Sequence, residues 1–408
     1  MSSETLQNTI LIIIFVSLTI VICYTLMTII NENFQENFGS SCTDLIPYIK
    51  TPLMPIKKGQ IFISIASYRD QECNRTVDTI FNNARNPENI YIGICEQNDT
   101  ANDQEKCVLD SQTSGPSIKN QYIDHITYHN IPYTEANGPT KARYYCSKLW
   151  SGQQYYLQID SHIFFEKDWD YNLINMLEKC RETSNRPVIS VYPPTDEQLA
   201  MSMIPIMDNG KISANGLPVF LASIASSDKF ENNEPIKTPK AIVAGGYMFL
   251  DATFLYDLPF DPVLGSLFQG EETMLSARLF TNGYDCFTPN INICCHHYNR
   301  IDGHLVFTDL PKKTECRSKA EKRVMFLLGL ISANSVLEEY LKDHNQYGLG
   351  SFRTIDDFWN ATGITVSVEK DGSKKLISME NWSGTNPVSD KFKGWNFNES
   401  GYEKIKKY

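Results

Sequence analysis

Basic residues are absent from the beginning of the chain, and the chain as a whole is acidic. No Lys or Arg precedes Lys50, and the 408 residues carry a net charge of −11. A general nucleic-acid surface needs a basic stripe. The composition therefore excludes nucleic acid as a general partner, and any phosphate that the protein binds must be met locally by an ion or a few basic groups.

The chain also lacks a Cys-x-x-Cys pair, so neither a zinc ribbon nor a thioredoxin-type redox site is indicated. One of its 11 cysteines, Cys23, lies in an apolar segment, which leaves ten that could pair in an oxidising compartment. Asn-x-Ser/Thr sequons would be glycosylated if the domain were lumenal. They begin at Asn74, Asn98, Asn360, Asn381 and Asn398.

Charge is missing from residues 9–30 too, where apolar and hydroxyl side chains follow one another. At about 1.5 Å per residue this segment is long enough to cross a hydrocarbon core of about 30 Å. We expect a transmembrane helix over 9–30 after a tail of residues 1–8, with a cleaved signal peptide as the alternative. The positive-inside rule gives almost no information on the orientation of this segment, because no Lys or Arg precedes Lys50. A short polar N-terminus before a large domain fits a signal anchor, which predicts a single-pass type II protein of the ER or Golgi with a lumenal domain.

From residue 59 onward, β-branched runs alternate with helical patterns. This alternation predicts an α/β fold with a mostly parallel sheet covered by helices on both faces. Ligands bind at the carboxyl ends of the strands in such sheets. The expected strands are 61–66, 90–95, 126–128, 155–159, 241–250 and 291–295, and the expected helices lie around 77–84, 139–149, 271–279 and 326–331.

The pattern also divides the chain into segments. We expect a stem at 31–58, a main domain at 59–300, a helical C-terminal part of that domain at 301–365 and a polar, irregular extension at 366–408. The basic stretch after residue 311 is expected to precede the apolar helix at 326–331.

Two of the expected strands end in side chains that could hold one ion. Asp160 and His162 lie two residues apart, so they point to the same side of an extended segment. A nitrogen from His296 or His297 would complete a protein face with positions open for a ligand or water. Mixed oxygen and imidazole ligands suit manganese, magnesium, iron or zinc. In the alternative interpretation, Asp160 begins a turn and the histidines are core residues.

Two further pairs could contact a ligand. Gly245 and Gly246 interrupt the 241–250 strand, where the missing side chains let a ligand or backbone come close. Glu271 and Glu272 open a helix, where they could bind a ligand or could only face the helix dipole.

Short motifs occur in a recognisable order along the chain. They are ISIASYRD at 63–70, GPTKAR at 138–143, QIDSH at 158–162, GG at 245–246, GEE at 270–272, HHYNR at 296–300 and YGLGSFRT at 347–354. In this order they resemble the polypeptide N-acetylglucosaminyltransferases over about residues 59–365. That family includes cytosolic enzymes that modify hydroxyproline and membrane-anchored enzymes that modify Ser or Thr. The mucin-type polypeptide GalNAc-transferases are similar at a greater distance.

The resemblance implies a GT-A nucleotide-diphospho-sugar transferase fold, which is Rossmann-like, behind the N-terminal membrane helix. It implies a UDP-GlcNAc donor, a protein or peptide acceptor, a divalent ion that is usually manganese, with magnesium as an option, and retention at the anomeric carbon. The membrane span departs from the cytosolic members, so Ser or Thr stands beside hydroxyproline as the acceptor. GalNAc in place of GlcNAc stays open.

The resemblance also implies roles for individual residues. It places Asp160, His162 and His296 on the ion, because the family pattern is His-x-Tyr-x-Arg, although a strand could equally present His297. It places Arg143 near the diphosphate and gives Glu271 the donor sugar's hydroxyls. The residues implied at the donor are Ser67, Tyr68, Arg69, Glu96, Arg143, Gly245 and Gly246, and those implied in catalysis are Asp160, Glu271 and Glu272.

Two other functions share these residues. Asp-x-His with a distant His is also a ligand set of non-haem iron oxygenases, although their usual order is His-x-carboxylate on a double-stranded β-helix. A membrane-tethered module that binds sugar or protein without transferring it is the second alternative.

Overall fold

The computed structural model of the protein describes residues 48, 50–108, 118–226, 234–238, 240–300, 303–370 and 372–380. The expected tail, the expected membrane helix at 9–30, most of the stem and the end of the C-terminal extension lie outside these residues. Within the described ranges, no helix has both the length and the apolar character needed to cross a membrane.

The described residues contain the following regular elements. The strands are β1 (Lys57–Tyr68), β2 (Ile90–Asn98), β3 (Ile126–Pro132), β4 (Gln153–Asp160), β5 (Ile163–Phe165), β6 (Pro187–Ser190), β7 (Met203–Ile212), β8 (Pro218–Ser226), β9 (Ile236–Lys237), β10 (Tyr247–Asp251), β11 (Asp285–Thr288), β12 (Cys294–His296), β13 (Ile364–Val368) and β14 (Lys374–Met379). The α-helices are α1 (Cys73–Asn83), α2 (Gly138–Ser147), α3 (Trp169–Cys180), α4 (Asp196–Ala200), α5 (Phe254–Asp257), α6 (Glu271–Thr281), α7 (Val306–Asp309), α8 (Lys313–Leu327), α9 (His344–Tyr347) and α10 (Ile355–Thr362).

A central sheet has the strand order β3-β2-β1-β4-β10-β6-β11-β9. The first four strands run parallel to one another, β11 runs parallel to β6, and β10 and β9 run antiparallel to their neighbours. Ile63, Ile65 and Leu157 are fully buried in this sheet. Strands that are buried on both faces carry continuous apolar runs. The expected α/β fold with a mostly parallel sheet is confirmed.

Helix α1 packs its buried residues Val77, Ile80 and Phe81 into the same core as β1 and β2. Their spacing of three and four residues puts them on one helical face. A disulfide between Cys73 and Cys107 ties the beginning of α1 to the loop after β2.

Most of the other cysteines in the described residues are not paired. Cys316 is disulfide-bonded. The free thiols, all of them buried, belong to Cys95, Cys146, Cys180, Cys286, Cys294 and Cys295. Fewer of the ten candidate cysteines therefore form disulfides than the sequence allowed.

Several expected boundaries differ from those in the structure. The 241–250 strand is wrong at its beginning, because β10 starts at Tyr247, after the glycine pair. The helix expected at 326–331 is also wrong: α8 ends at Leu327 and contains the basic stretch instead of following it. Ion pairs one turn apart, such as Lys319 with Glu315, let a highly charged segment stay helical.

The two ends of the domain also differ from expectation. The main domain begins before residue 59, because β1 starts at Lys57 and the Met54 N–H donates to the Tyr256 hydroxyl at 3.0 Å. The polar extension is not irregular at its beginning, since β13 and β14 pair as an antiparallel hairpin.

Candidate functional site

Asp160 is the last residue of β4, at the carboxyl end of the parallel strands. Its N–H donates to the Gly246 carbonyl at 3.1 Å, which brings the glycine pair beside it. Strand β12 pairs with β5 outside the central sheet, and His296 lies opposite Ile163 in that register. Because β5 follows β4 after a tight turn, this pairing carries His296 to Asp160 and His162.

These three side chains form a candidate metal centre. Each offers one ligand atom, and the three atoms lie within 4.8 Å of one another. His296 Nε2 lies 3.4 Å from the Asp160 carboxylate, and the buried His296 Nδ1 has no hydrogen-bond partner in the described part of the chain. One carboxylate and two imidazoles, with a face left open, fit a divalent ion such as manganese.

His297 faces a different direction. Its Nδ1 lies 2.7 Å from Glu72 Oε1, and its Nε2 lies 3.1 Å from Asp196 Oδ2. The carboxylates of Glu72, directly before α1, and of Asp196, the first residue of α4, therefore occupy both ring nitrogens. The structure groups His296, and not His297, with Asp160 and His162.

Arg143 is the buried cation beside the candidate metal centre. It lies on α2, whose first turn contains Pro139 as a helix-initiating residue. The buried guanidinium donates to Asp160 Oδ1 at 2.8 Å and forms an ion pair with Glu271 at the first position of α6. Burial opposes ionisation of Asp160, but the hydrogen bond from His296 and the charge of Arg143 outweigh it and lower the Asp160 pKa.

The glycine pair makes room for these protein groups. A Cβ on Gly246 would collide with the Asp160 carboxylate, and a Cβ on Gly245 would lie 3.1 Å from Arg143 Nη1. The pair therefore lets the ion-pair network pack against the backbone, in addition to lining the cleft.

Glu271 and Glu272 occupy neighbouring positions but have different partners. Glu271 pairs with Arg143, whereas Glu272 accepts from the Gly245 N–H at 2.8 Å and from the Tyr192 hydroxyl at 2.5 Å. Burial raises the pKa of Glu272 to about 7. Burial also raises the pKa of Glu271, although the Arg143 charge opposes the shift.

Ser67, Tyr68, Arg69 and Glu96, which were also expected at the donor, have other partners. The Tyr68 hydroxyl and Arg69 both donate to Asp309, each at 3.1 Å, and Arg69 also pairs with Glu105 at 3.1 Å. Glu96 accepts from the Cys107 N–H at 2.7 Å. Ser67 is fully buried, and its carbonyl accepts from Gln97 Nε2 at 3.1 Å.

One cleft of about 620 Å³ joins the metal centre to the Arg143 network. That volume suits a small-molecule ligand. Tyr192, Phe268, Tyr298 and Arg317 also line it. The sequence analysis gave none of them a role: Tyr298 lies within the HHYNR motif, whereas Tyr192, Phe268 and Arg317 lie outside the motifs. The described lining is Pro139, Arg143, Asp160, Tyr192, Pro193, Pro218, Val219, Gly245, Gly246, Phe268, Gln269, Gly270, Glu271, Glu272, His296, Tyr298 and Arg317.

Comparisons with known proteins give a family match. The model of the family described as "Glycosyltransferase (GlcNAc)" matches residues 60–125 and 98–368. No curated protein matches the chain.

Solved structures resemble the chain at low sequence identity. GalNAc-T7 with UDP, GalNAc and Mn2+ has 14% identity and a TM-score of 0.47, with 74% of this chain and 56% of that chain covered. TarS from S. aureus has 10% identity and a TM-score of 0.39, with 71% and 44% covered. The mannosyltransferase PcManGT from Pyrobaculum calidifontis, in complex with GDP-Man and Mn2+, has 10% identity and a TM-score of 0.35, with 72% and 71% covered. The chain thus spans little more than half of the first of these structures.

Proposed function

Because this chain belongs to the GlcNAc glycosyltransferase family, we propose that it transfers N-acetylglucosamine from UDP-GlcNAc to a hydroxyl group of a protein. The observation that carries this proposal is the meeting of Asp160, His162 and His296 with the Arg143–Glu271 pair in one cleft. The position of Asp160 at the end of β4, within the parallel part of the sheet, also fits the GT-A arrangement.

The reaction breaks the bond between the anomeric carbon and the diphosphate, so negative charge grows on the departing UDP. Preorganised positive groups stabilise such charge in the transition state. Asp160, His162 and His296 would hold a divalent ion, manganese or magnesium, which would supply Lewis-acid stabilisation of the departing diphosphate. Arg143 is held by two carboxylates before the donor binds, so little free energy is needed to orient the guanidinium when the donor binds.

The described residues of the cleft also bear on the stereochemistry. Both oxygens of Glu272 accept hydrogen bonds from the protein, and Glu271 pairs with Arg143 and is assigned to the sugar hydroxyls, so we assign no covalent nucleophile. We therefore favour front-face attack by the acceptor hydroxyl. The new bond joins the acceptor oxygen to the anomeric carbon on the side that UDP leaves, the phosphate oxygen takes the hydroxyl proton, and the configuration is retained. Glu271 would accept hydrogen bonds from the sugar's hydroxyls.

The acceptor and the location complete the proposal. The acceptor is a Ser, Thr or hydroxyproline hydroxyl of a protein, and the domain is lumenal behind a membrane anchor at 9–30. In this location, secretory or surface proteins would be the source of the acceptor.

Release of UDP from UDP-GlcNAc, measured with the full-length protein, tests the activity without a known acceptor. We expect slow hydrolysis with Mn²⁺, none in EDTA, and none with the Asp160→Asn variant. UDP-GalNAc in a parallel reaction tests the sugar. Iron with 2-oxoglutarate is the contrast for an oxygenase, and donor binding without hydrolysis in any metal would identify a binding module instead.

A further inference from the structure

Asp70 lies directly behind the candidate metal centre. It follows β1, and its carboxylate is almost completely buried. Three donors converge on this carboxylate: His162 Nδ1 lies 2.7 Å from Oδ2, the Ser161 hydroxyl donates to the same oxygen at 2.5 Å, and the Glu72 N–H donates to Oδ1 at 3.0 Å. Arg300 Nε lies 4.0 Å away and supplies a nearby positive charge.

We infer that Asp70 is a positioning residue for the metal centre, acting through His162. This inference rests on the proposed metal dependence. A carboxylate can only accept at His162 Nδ1, so Nδ1 carries the proton and Nε2 is left as the nitrogen that an ion can use. A carboxylate behind a ligating histidine fixes the ring and its tautomer and increases the basicity of the free nitrogen.

The short loop before α1 that contains Asp70 also contains Glu72, the partner of His297. Glu72 holds His297 at 2.7 Å, the same distance that separates Asp70 from His162. Asp70 thus prepares one histidine for the ion, whereas Glu72 and Asp196 occupy both nitrogens of His297 and keep it from the ion. The two acidic residues of one loop therefore provide a matched comparison, since both are buried carboxylates on histidines and only one of those histidines belongs to the metal centre.

An Asn at position 70 cannot reproduce the carboxylate. The amide has one oxygen and one NH₂ group, whereas donors approach both carboxylate oxygens of Asp70. If the amide oxygen faces His162 and Ser161, the NH₂ group meets the Glu72 N–H. If the oxygen faces Glu72, the NH₂ group meets His162 Nδ1–H and drives the ring to the other tautomer or orientation. Either arrangement also removes the negative charge that supports His162.

The test is direct Mn²⁺ binding to the full-length, metal-free protein, measured from the electron paramagnetic resonance signal of free Mn²⁺. For Asp70→Asn we expect the dissociation constant for Mn²⁺ to rise by about 10- to 100-fold, as for other partners behind metal ligands. For Glu72→Gln we expect an unchanged constant. Thermal unfolding without metal serves as the control for folding in each variant.

Each outcome separates this inference from the proposed function. If the wild-type protein binds no Mn²⁺, the metal centre and the role of Asp70 both fall. If the wild type binds Mn²⁺ and Asp70→Asn binds it equally well, only the role of Asp70 is overturned, and Asp70 merely stabilises the turn before α1. An equal loss in Glu72→Gln would overturn it as well, because the effect would not act through His162.

A milder variant covers the case in which Asp70→Asn does not fold. Ser161→Ala removes one donor from Asp70 Oδ2 and leaves the bond from the Glu72 N–H in place. The carboxylate then holds His162 less firmly, so Mn²⁺ affinity should fall in the same direction by a smaller factor. Wild-type affinity in Ser161→Ala, with Asp70→Asn unfolded, would overturn the inference.

Discussion

Arg143 on α2 and Glu271 at the beginning of α6 form a buried ion pair across the cleft. The two residues are far apart in the chain, so the contact depends on how α2 and α6 pack in the fold. The pair gives Glu271 a partner other than the dipole of its own helix. The same guanidinium reaches Asp160, so a single cation connects the expected sugar contact with the candidate metal centre.

The role of Glu271 can be tested by Glu271→Gln. If Glu271 contacts the donor sugar in the transition state, transfer should fall about a hundredfold or more, at about 1.4 kcal/mol per factor of ten. UDP affinity should stay nearly unchanged, because UDP lacks the sugar and Arg143 keeps Asp160 as a partner. Titration of UDP and initial rates on the same preparation measure both. Normal transfer, or UDP affinity lost in step with activity, would show that the role is wrongly assigned.

The third metal ligand can be assigned by comparing His296→Ala with His297→Ala. We expect His296→Ala to lose Mn²⁺ binding and transfer, because His296 Nε2 is the nitrogen near Asp160. His297→Ala should keep Mn²⁺ and lose only the contacts with Glu72 and Asp196. Asp160→Asn should abolish transfer with the fold nearly intact, since its carboxylate lies at a strand end. Transfer activity in EDTA would contradict this assignment. So would a loss of Mn²⁺ binding in His297→Ala but not in His296→Ala.

The raised pKa of Glu272 predicts a specific pH dependence of stability. Burial raises this pKa from 4.5 to about 7, so the folded protein keeps a proton that the unfolded chain releases. Between these pH values the folded state binds more protons, and stability therefore falls as pH rises. Relative to the always neutral Glu272→Gln, the metal-free wild type should lose on the order of 3 kcal/mol between pH 4.5 and 7, and nothing further above that. Denaturant unfolding across this pH range in EDTA measures the difference. If the free energy of unfolding changes with pH in the same way for both proteins, the raised pKa is refuted.

The buried pair Arg323–Asp261 should be important for the position of α8. Arg323 Nε lies 2.7 Å from Asp261 Oδ2, and both side chains are almost completely buried. Arg323→Met would leave the Asp261 charge buried without its partner, which should lower the free energy of unfolding by about 3–5 kcal/mol. The double variant with Asp261→Asn should recover part of this loss, because Asn can still accept from the Val263 N–H. A single variant as stable as the wild type would contradict the expectation.

The lumenal location can be tested with protein made in eukaryotic cells. Of the sequons that the structure describes, Asn360 is exposed, whereas the Asn98 amide is buried and donates to the Glu105 carbonyl at 2.7 Å. We expect glycosidase treatment to increase gel mobility, and Asn360→Gln to reduce that shift. No shift, together with protease sensitivity of the domain in unpermeabilised microsomes, would place it in the cytosol and favour hydroxyproline as the acceptor.

Local patterns in the sequence were enough to predict the parallel half of the central sheet, although β6, β9 and β11 were not expected. The β-branched runs around Ile63, Ile92 and Leu157 predicted strands, and the spacing of Val77, Ile80 and Phe81 predicted one face of a helix, as the structure has them. These strand and helix assignments depend on backbone periodicity, which can be seen in neighbouring residues. Asp160 and His162 do lie together, but the predicted reason was wrong, because His162 lies in the turn between β4 and β5 and not in an extended segment.

Only the tertiary structure decided what faces the site. The choice of His296 over His297 depends on the register between β12 and β5, which are far apart in sequence, and a shift by one residue would exchange the two side chains. The contacts of Asp70 with His162 and of Arg143 with Glu271 likewise join segments that carry no local signal for each other. Periodicity specifies which side chains share a face, whereas the partner of that face is set by strand pairing and packing across the whole domain.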